Sequence, residues 1–371
     1  MGEAETLVEA FRKTQHQIGG HGPRSVGVLK EALSKAPDDM TADTYGQGII
    51  IERFQRKIAD YLGKEAAVFF PSGTMAQQIA LRIWCERANN PQVAYHPLCH
   101  LEIHEQDGLK KLHHINPILL ATPDRLITID DVTNLGEPVA CLLLELPQRE
   151  IGGELPSFAE LADISAYCRE MNIRLHLDGA RLYETLSYYG RSAADIAVLF
   201  DSVYVSFYKG ICGVAGAMLA GGQDFIDEAV VWKRRHGGDL ISLYPYILAA
   251  EYYFDRRVAK MEQYCQEARE LAARFNAVDG VSTRPLVPVT NMFHVHMEAG
   301  VAEAEKALIA AYQKTGVGLA GYLHERGPRE SSFEVSIGDQ YETIAPELIQ
   351  ETLDVLAAAL QREPGAGCRR K

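Results

Sequence analysis

The chain has 371 residues, 47% of them hydrophobic and 23% charged, the composition of an ordinary globular protein. That length exceeds the size at which a single hydrophobic core usually stops growing, so a large domain with a smaller companion is expected. Fifty acidic against 37 basic residues leave a formal net charge of −13, which repels nucleic-acid phosphates and anionic membrane surfaces and sets both aside as partners.

Seven cysteines (Cys85, Cys99, Cys141, Cys168, Cys212, Cys265 and Cys368) are scattered without CxxC pairs and are odd in number. Reduced thiols fit that pattern better than a disulfide framework. The segment Met1–Thr6 lacks the basic and then apolar regions of a signal peptide. Gly2 followed by Thr6 meets a loose myristoylation pattern, but it is short and no polybasic segment supplies a second anchor, so it reads as coincidence. No apolar run approaches the ~20 residues of a membrane helix. A soluble, cytoplasmic protein is expected.

In chain order, residues 1–40 form an N-terminal segment expected to pack near the small domain, 41–255 a large domain and 256–371 a small one. From Thr41 to Gly222, short apolar runs alternate with amphipathic stretches, the rhythm of an α/β domain with a mainly parallel sheet sandwiched by helices. Ala66–Phe70 is the first strand predicted. It ends at Pro71-Ser72-Gly73-Thr74, and a helix follows over Met75–Arg87. Val139–Leu146 is nearly continuous in apolar residues, as in a strand covered on both faces, and Pro138 suits a strand start. Ser157 caps a helix that runs to Met171. Ile173–Leu177 and Val203–Phe207 are the next strands.

Beyond Gly222 the texture changes. Leu243–Ala277 keeps helical periodicity too long for an ordinary crossover and is expected to link two domains. Strand Met292–Met297, helix Ala302–Thr315, strand Phe333–Ile337 and helix Pro346–Gln361 then spell a small C-terminal α+β domain. The Gly- and basic-rich tail Glu363–Lys371 is expected to fray.

Three features of the large domain carry chemistry, in a fixed order. A glycine-containing strand-to-helix turn, Ser72-Gly73-Thr74, comes first; Asp178 follows at a strand end, in His176-Leu177-Asp178-Gly179-Ala180-Arg181; Lys209 closes the set, in Ser206-Phe207-Tyr208-Lys209-Gly210. Strand ends at one edge of a parallel sheet share a crevice, so residues distant in sequence meet there. Taken singly each has an ordinary explanation: a capped helix, a solvated lysine, a surface acid. In this order, beside apolar strands, they match what pyridoxal phosphate requires. Backbone N–H groups at a helix N-terminus favour a phosphate, a lysine supplies the Schiff-base amine, and an acid keeps the pyridine nitrogen protonated.

The motifs Asp43-Thr44-Tyr45-Gly46, Phe70-Pro71-Ser72-Gly73-Thr74-Met75-Ala76, Glu145 with Gly152-Gly153, His176–Leu182 and Ser206–Gly210 leading to Leu219-Ala220-Gly221 resemble, together and in order, the threonine aldolase and β-eliminating lyase family. That family lies within the aspartate-aminotransferase-like, fold type I class of pyridoxal phosphate enzymes. The similarity runs from about Leu29 to Gly222. It implies that Ser72, Gly73 and Thr74 bind the cofactor phosphate, with Ser206 a helper, and that His100 stacks on the ring near the substrate side chain. Glu105 matches an acid close to the cofactor, and Arg181 an arginine that receives the substrate carboxylate. The implied activity is cleavage of threonine-like β-hydroxy-α-amino acids to glycine and an aldehyde, with His100 as candidate base, in a homodimer or homotetramer. Other pyridoxal phosphate reactions on amino acids (β-elimination, transamination, racemisation) and a non-catalytic binding role are the alternatives.

Two departures from the family pattern bear on the substrate. Gly19-Gly20-His21-Gly22-Pro23-Arg24 stands where a Ser-Asp-Thr segment contributes to carboxylate binding, and Glu334 stands near a second carboxylate arginine, for which Arg24, Arg326 or Arg329 could substitute. Tyr208 replaces a small residue. A metal site is the rival reading for His100, His104 and Glu105, for His176 and Asp178, and for His113 and His114. It leaves Lys209 and the Ser72–Thr74 turn without a role, so no metal is expected. His294 and His296 alternate along one sheet face, and Tyr244, Tyr246, Tyr252, Tyr253 and Phe254 read as core or subunit interface.

Overall fold

A computed structural model describes residues 5–361. Gly2, Cys368 and the tail Glu363–Lys371, on which three of the expectations above fall, lie outside the described residues. The chain divides into two compact units, Arg24–Glu262, and Met1–Pro23 with Gln263–Lys371.

The Arg24–Glu262 unit is built on a seven-stranded sheet. Its strands are β1 (Ala66–Phe70), β2 (Gln92–Tyr95), β3 (Asn116–Leu119), β4 (Cys141–Glu145), β5 (Arg174–Gly179), β6 (Ser202–Ser206) and β7 (Ala217–Gly221), in the order β1-β7-β6-β5-β4-β2-β3. β7 is antiparallel to both neighbours, and the other pairs are parallel. The mainly parallel α/β sheet read from the sequence is therefore present. Every residue of β6 and β7 is buried, as is all of β4 except Glu145, so side chains on both faces of these strands are covered. At about 1.5–3 kcal/mol per large apolar side chain, this burial drives the fold.

In this sheet the predicted limits of β1 coincide with the observed ones and those of β4, β5 and β6 differ by one or two residues, because apolar runs and hydrogen-bonded ladders do not end at the same residue. Sequence reading passed over β2, β3 and β7. β3 contains Pro117, which ordinarily argues against a strand; it is tolerated here because β3 lies at the sheet edge. β7 is Ala- and Gly-rich and short. The long helical stretch is two helices, Tyr244–Arg257 and Met261–Asn276, separated by a 3₁₀ turn at Val258–Lys260. Tyr253 and Phe254 of the tyrosine stripe are core residues.

The other unit carries a four-stranded antiparallel sheet of β8 (Val281–Arg284), β9 (Met292–Met297), β10 (His324–Gly327) and β11 (Glu330–Ser336), in the order β10-β11-β9-β8. Helices Val301–Thr315 and Pro346–Leu360 pack on each other. His294 pairs in register with Glu334 and His296 with Ser332, so both histidines share one face with that glutamate. Among the described residues no helix is long and apolar enough to cross a membrane. Five of the six described cysteines are buried, and Cys212 is half-buried.

Leu143, in the middle of β4, is 1% exposed. Leu143→Ala is expected to cost about 2–5 kcal/mol, the usual range for emptying a fully packed leucine site. Urea denaturation should register it as a lower midpoint; an unchanged midpoint would contradict the packing described.

Candidate active site

The C-terminal edge of β4, β5 and β6 gathers the charged groups. Glu145 is the last residue of β4 and lies in register with Asp178, the next-to-last residue of β5. Lys209 follows the end of β6 after Phe207 and Tyr208. His100, Glu145, Asp178, Arg181 and Lys209 line one cavity, which His104 and Glu150 also border. Four of the residues singled out from sequence thus meet around a single space, as shared strand ends allow.

Asp178 is 1% exposed. A buried carboxylate must be hydrogen-bonded, and this one is: Oδ1 accepts from the Ala180 N–H at 3.0 Å, and Oδ2 accepts from Gln77 Nε2. Glu145 is in a poorer position. Its Oε2 is buried with no hydrogen-bond partner, and burial together with the neighbouring Asp178 raises its pKa, with Lys209 acting in the opposite direction. An unsatisfied buried oxygen next to a second carboxylate and a lysine marks a place where a polar group is wanted.

The loop carrying Lys209 is clamped from several sides. Arg24 Nη2 donates to the carbonyls of Tyr208 at 3.0 Å and Gly213 at 3.1 Å, and Arg257 Nη1 donates to that of Ile211 at 2.7 Å. The Arg24 guanidinium, a candidate carboxylate ligand by sequence, is engaged with this backbone. Arg181 Nη1 lies 3.4 Å from both oxygens of the fully buried Glu184. A Cβ on Gly210 would come within 2.0 Å of Glu184 Oε1, so glycine after the lysine is what lets this pair sit beneath the loop.

His100 Nδ1 is 3.1 Å from Glu105 Oε1, and Glu105 accepts from Gln78 Nε2 at 2.7 Å. With Nδ1–H donated to the carboxylate, the free lone pair of a neutral imidazole is on Nε2. His104 instead pairs with Glu150 at 3.0 Å. Among the described residues no group of three or more His, Cys, Asp or Glu side chains is arranged to hold a metal ion.

Ser72, Gly73 and Thr74 open the helix Gly73–Ala88, with Ser72 Oγ capping the Met75 N–H at 3.4 Å. Gly73 is required by contact: its Cβ would fall 2.1 Å from the Tyr204 hydroxyl. Ser72 faces a wider cavity of about 490 Å³, shared with Arg24 and Tyr208. Ser72 and Lys209 do not line the same cavity: Ser72 and Tyr208 border the wider one, Lys209 the other. Ser206 is buried, and its Oγ accepts from the Tyr208 N–H at 3.3 Å. These groups fit pyridoxal phosphate: an amine at Lys209, an acid at Asp178, an unsatisfied Glu145 oxygen beside them and a helix N-terminus nearby.

The β-eliminating lyase family model matches residues 28–298, well over half the chain. The chain belongs to the β-eliminating lyase family. Members of this family are pyridoxal-phosphate-dependent enzymes, and this chain is similar to several threonine aldolases and their homologues. It is 29% identical over 293 residues to the low-specificity L-threonine aldolase of Escherichia coli O157:H7, covering 77% of this chain and 84% of that one. A crystal structure from Listeria monocytogenes EGD-E, provisionally described as an L-allo-threonine aldolase, is 57% identical with a TM-score of 0.94, covering 95% of this chain and 98% of that one. Another from Exiguobacterium sp. 255-15, provisionally described as an aromatic amino acid β-eliminating lyase or threonine aldolase, is 55% identical with a TM-score of 0.93, covering 95% and 99%.

Sequence reading of this family member missed Gln77, Gln78, Glu184 and Arg257. A signal existed for the glutamines: two adjacent amides sit in a helix that continues Ile79-Ala80-Leu81, and polar side chains in so apolar a setting need partners. His176, behind Asp178, is fully buried, and burial lowers its pKa to about 3. The sign follows from linkage. A histidine whose folded pKa lies below its unfolded value of ~6.5 contributes stability above that pH, which is lost as pH falls toward the folded value. The urea midpoint is expected to drop between pH 7 and pH 5, and to drop less in His176→Gln; equal slopes would contradict a neutral buried His176.

Proposed function

We propose that this protein is a pyridoxal-phosphate-dependent lyase that cleaves β-hydroxy-α-amino acids of the threonine type to glycine and an aldehyde. The observation that carries this reading is the convergence of Lys209, Asp178, Arg181 and His100 on one cavity at the sheet edge. Family membership supports it independently.

When bound, pyridoxal phosphate supplies an electron sink for negative charge developing at the substrate Cα. Lys209 is its covalent attachment point. Asp178, oriented by hydrogen bonds from the Ala180 N–H and Gln77, would pair with the ring nitrogen. Ser72, Gly73 and Thr74, with Ser206 as helper, hold the phosphate through the start of the helix. Arg181, steadied by Glu184, receives the substrate carboxylate. Glu105 fixes the His100 tautomer, so His100 Nε2 accepts the β-hydroxyl proton as the Cα–Cβ bond breaks and the aldehyde leaves. Cα is then reprotonated to give glycine. The working unit in this reading is a homodimer or homotetramer; the exposed Val230 and Val231, lining a groove of about 790 Å³, support a covered face.

Incubation with threonine, allo-threonine and phenylserine is expected to release the corresponding aldehyde with one glycine each. Keto acid and ammonia in place of glycine would contradict the reading. His100→Asn is expected to lower kcat about 10²–10⁴-fold, the usual worth of a positioned general base, with KM little changed. A variant within twofold of wild type would remove His100 from the base role.

A further inference from the structure

One helix reaches Asp178 through a line of four side chains. Trp84 Nε1 donates to Ser202 Oγ at 2.8 Å, Ser202 Oγ lies 2.7 Å from His176 Nδ1, His176 Nε2 lies 3.0 Å from Gln77 Oε1, and Gln77 Nε2 donates to Asp178 Oδ2. Gln77, His176 and Ser202 are all buried, and Trp84 is 4% exposed, so no water competes along the line. Gln77 and Trp84 stand seven residues apart on one helix, two turns along the same face, and the same helix begins at the Ser72–Thr74 turn.

Polarity fixes the protons. An indole N–H can only donate and an ionised carboxylate can only accept, so the two ends are set by chemistry. Gln77 must then turn its amide nitrogen to Asp178 and its oxygen to His176. That oxygen requires a proton on His176 Nε2, which leaves Nδ1 as the acceptor for the Ser202 hydroxyl. Reversing the line would bring Gln77 Oε1 against Asp178 Oδ2, which is tenable only with a proton on the carboxylate. The direction of the whole line is therefore tied to the ionisation of Asp178.

We propose that Gln77 is a positioning residue, held by His176, Ser202 and Trp84, that donates to Asp178 and keeps it aimed at the cofactor ring nitrogen. The proposal rests on the reading of Asp178 as the cofactor's acid. Its reach is cofactor affinity and the protonation of the bound ring, ahead of any substrate. The other titratable groups around Asp178 are Glu145 on the neighbouring strand, Tyr204 on β6, Cys99 before His100, and Lys209, Arg181, His100, His104, Arg149 and Glu150 lining the same cavity. None of them replaces the Gln77 donor, since Oδ2 has Gln77 and Oδ1 has the Ala180 N–H.

The test is titration of pyridoxal phosphate into full-length protein depleted of cofactor, for wild type, Asp178→Asn, Gln77→Leu and Gln77→Glu, from pH 6 to 9. Gln77→Leu keeps the volume and removes the donor; its Kd is expected to rise roughly 10- to 100-fold, the worth of a hydrogen bond to a charged group. Gln77→Glu gives a signature that packing alone cannot. Protonated, its hydroxyl donates to Asp178 as the amide does; ionised, it repels Asp178. Its Kd relative to wild type is expected to rise with pH, while that of Gln77→Leu is not. Should Gln77→Leu fail to fold by circular dichroism, the pH trend of Gln77→Glu carries the test. Weak binding in Asp178→Asn with wild-type affinity and pH profile in both Gln77 variants would overturn the proposal and leave the cofactor reading standing. Wild type that binds no pyridoxal phosphate, or Asp178→Asn that binds it normally, would overturn that reading and the proposal with it.

Discussion

A carboxylate buried at the end of a parallel strand is the constraint from which the rest of this site follows. Asp178 is almost fully removed from water, and an unpaired charge there would cost more than a domain of this size can spare. The fold meets that cost locally, with a backbone N–H from its own turn and an amide from the helix that follows β1. That helix cannot shift without disturbing the acid. Its first turn is equally confined, because Gly73 rests against the Tyr204 hydroxyl. The acid, the helix start and the central strands therefore hold one another in place.

The same logic extends to the lysine loop. Lys209 lies beyond its strand, in irregular backbone where turn hydrogen bonds serve the Phe207 and Lys209 carbonyls and those of Tyr208, Ile211 and Gly213 look to side chains for donors. Arg24 and Arg257 supply those donors, and Glu184 fills the space under Gly210. The consecutive amides Gln77 and Gln78 divide the work at the helix: one serves Asp178, the other serves Glu105 and through it His100. Side chains that never face the cavity thus set the geometry of those that do.

Much of this was legible in the residues. Unbroken apolar runs such as Cys141–Leu144 and Val203–Val205, rich in residues that favour strands, read as strands covered on both faces, and an acid or lysine just past such a run lands at the sheet edge. The motifs around Ser72–Thr74, His176–Leu182 and Ser206–Gly210 carry the family resemblance because each needs its glycine or charge at a fixed place. What stayed hidden was hidden for physical reasons. β7 is a short run, Ala-Met-Leu-Ala-Gly, that gives no periodic signal, and Pro117 disguised an edge strand. The arginine clamps join residues far apart in sequence through carbonyl oxygens, which every residue has and no side-chain pattern reveals. Glu145 was visible only as part of a motif; its unsatisfied oxygen emerges when β4 and β5 are set in register.

Every role proposed for this site depends on Lys209 being the anchor of the cofactor. Reduction with sodium borohydride of protein saturated with pyridoxal phosphate, followed by peptide mass spectrometry, tests this most directly. A pyridoxyl group on the peptide containing Lys209, and on no other lysine peptide, is the expected result. A label on a different lysine, or no label after reduction, would contradict it.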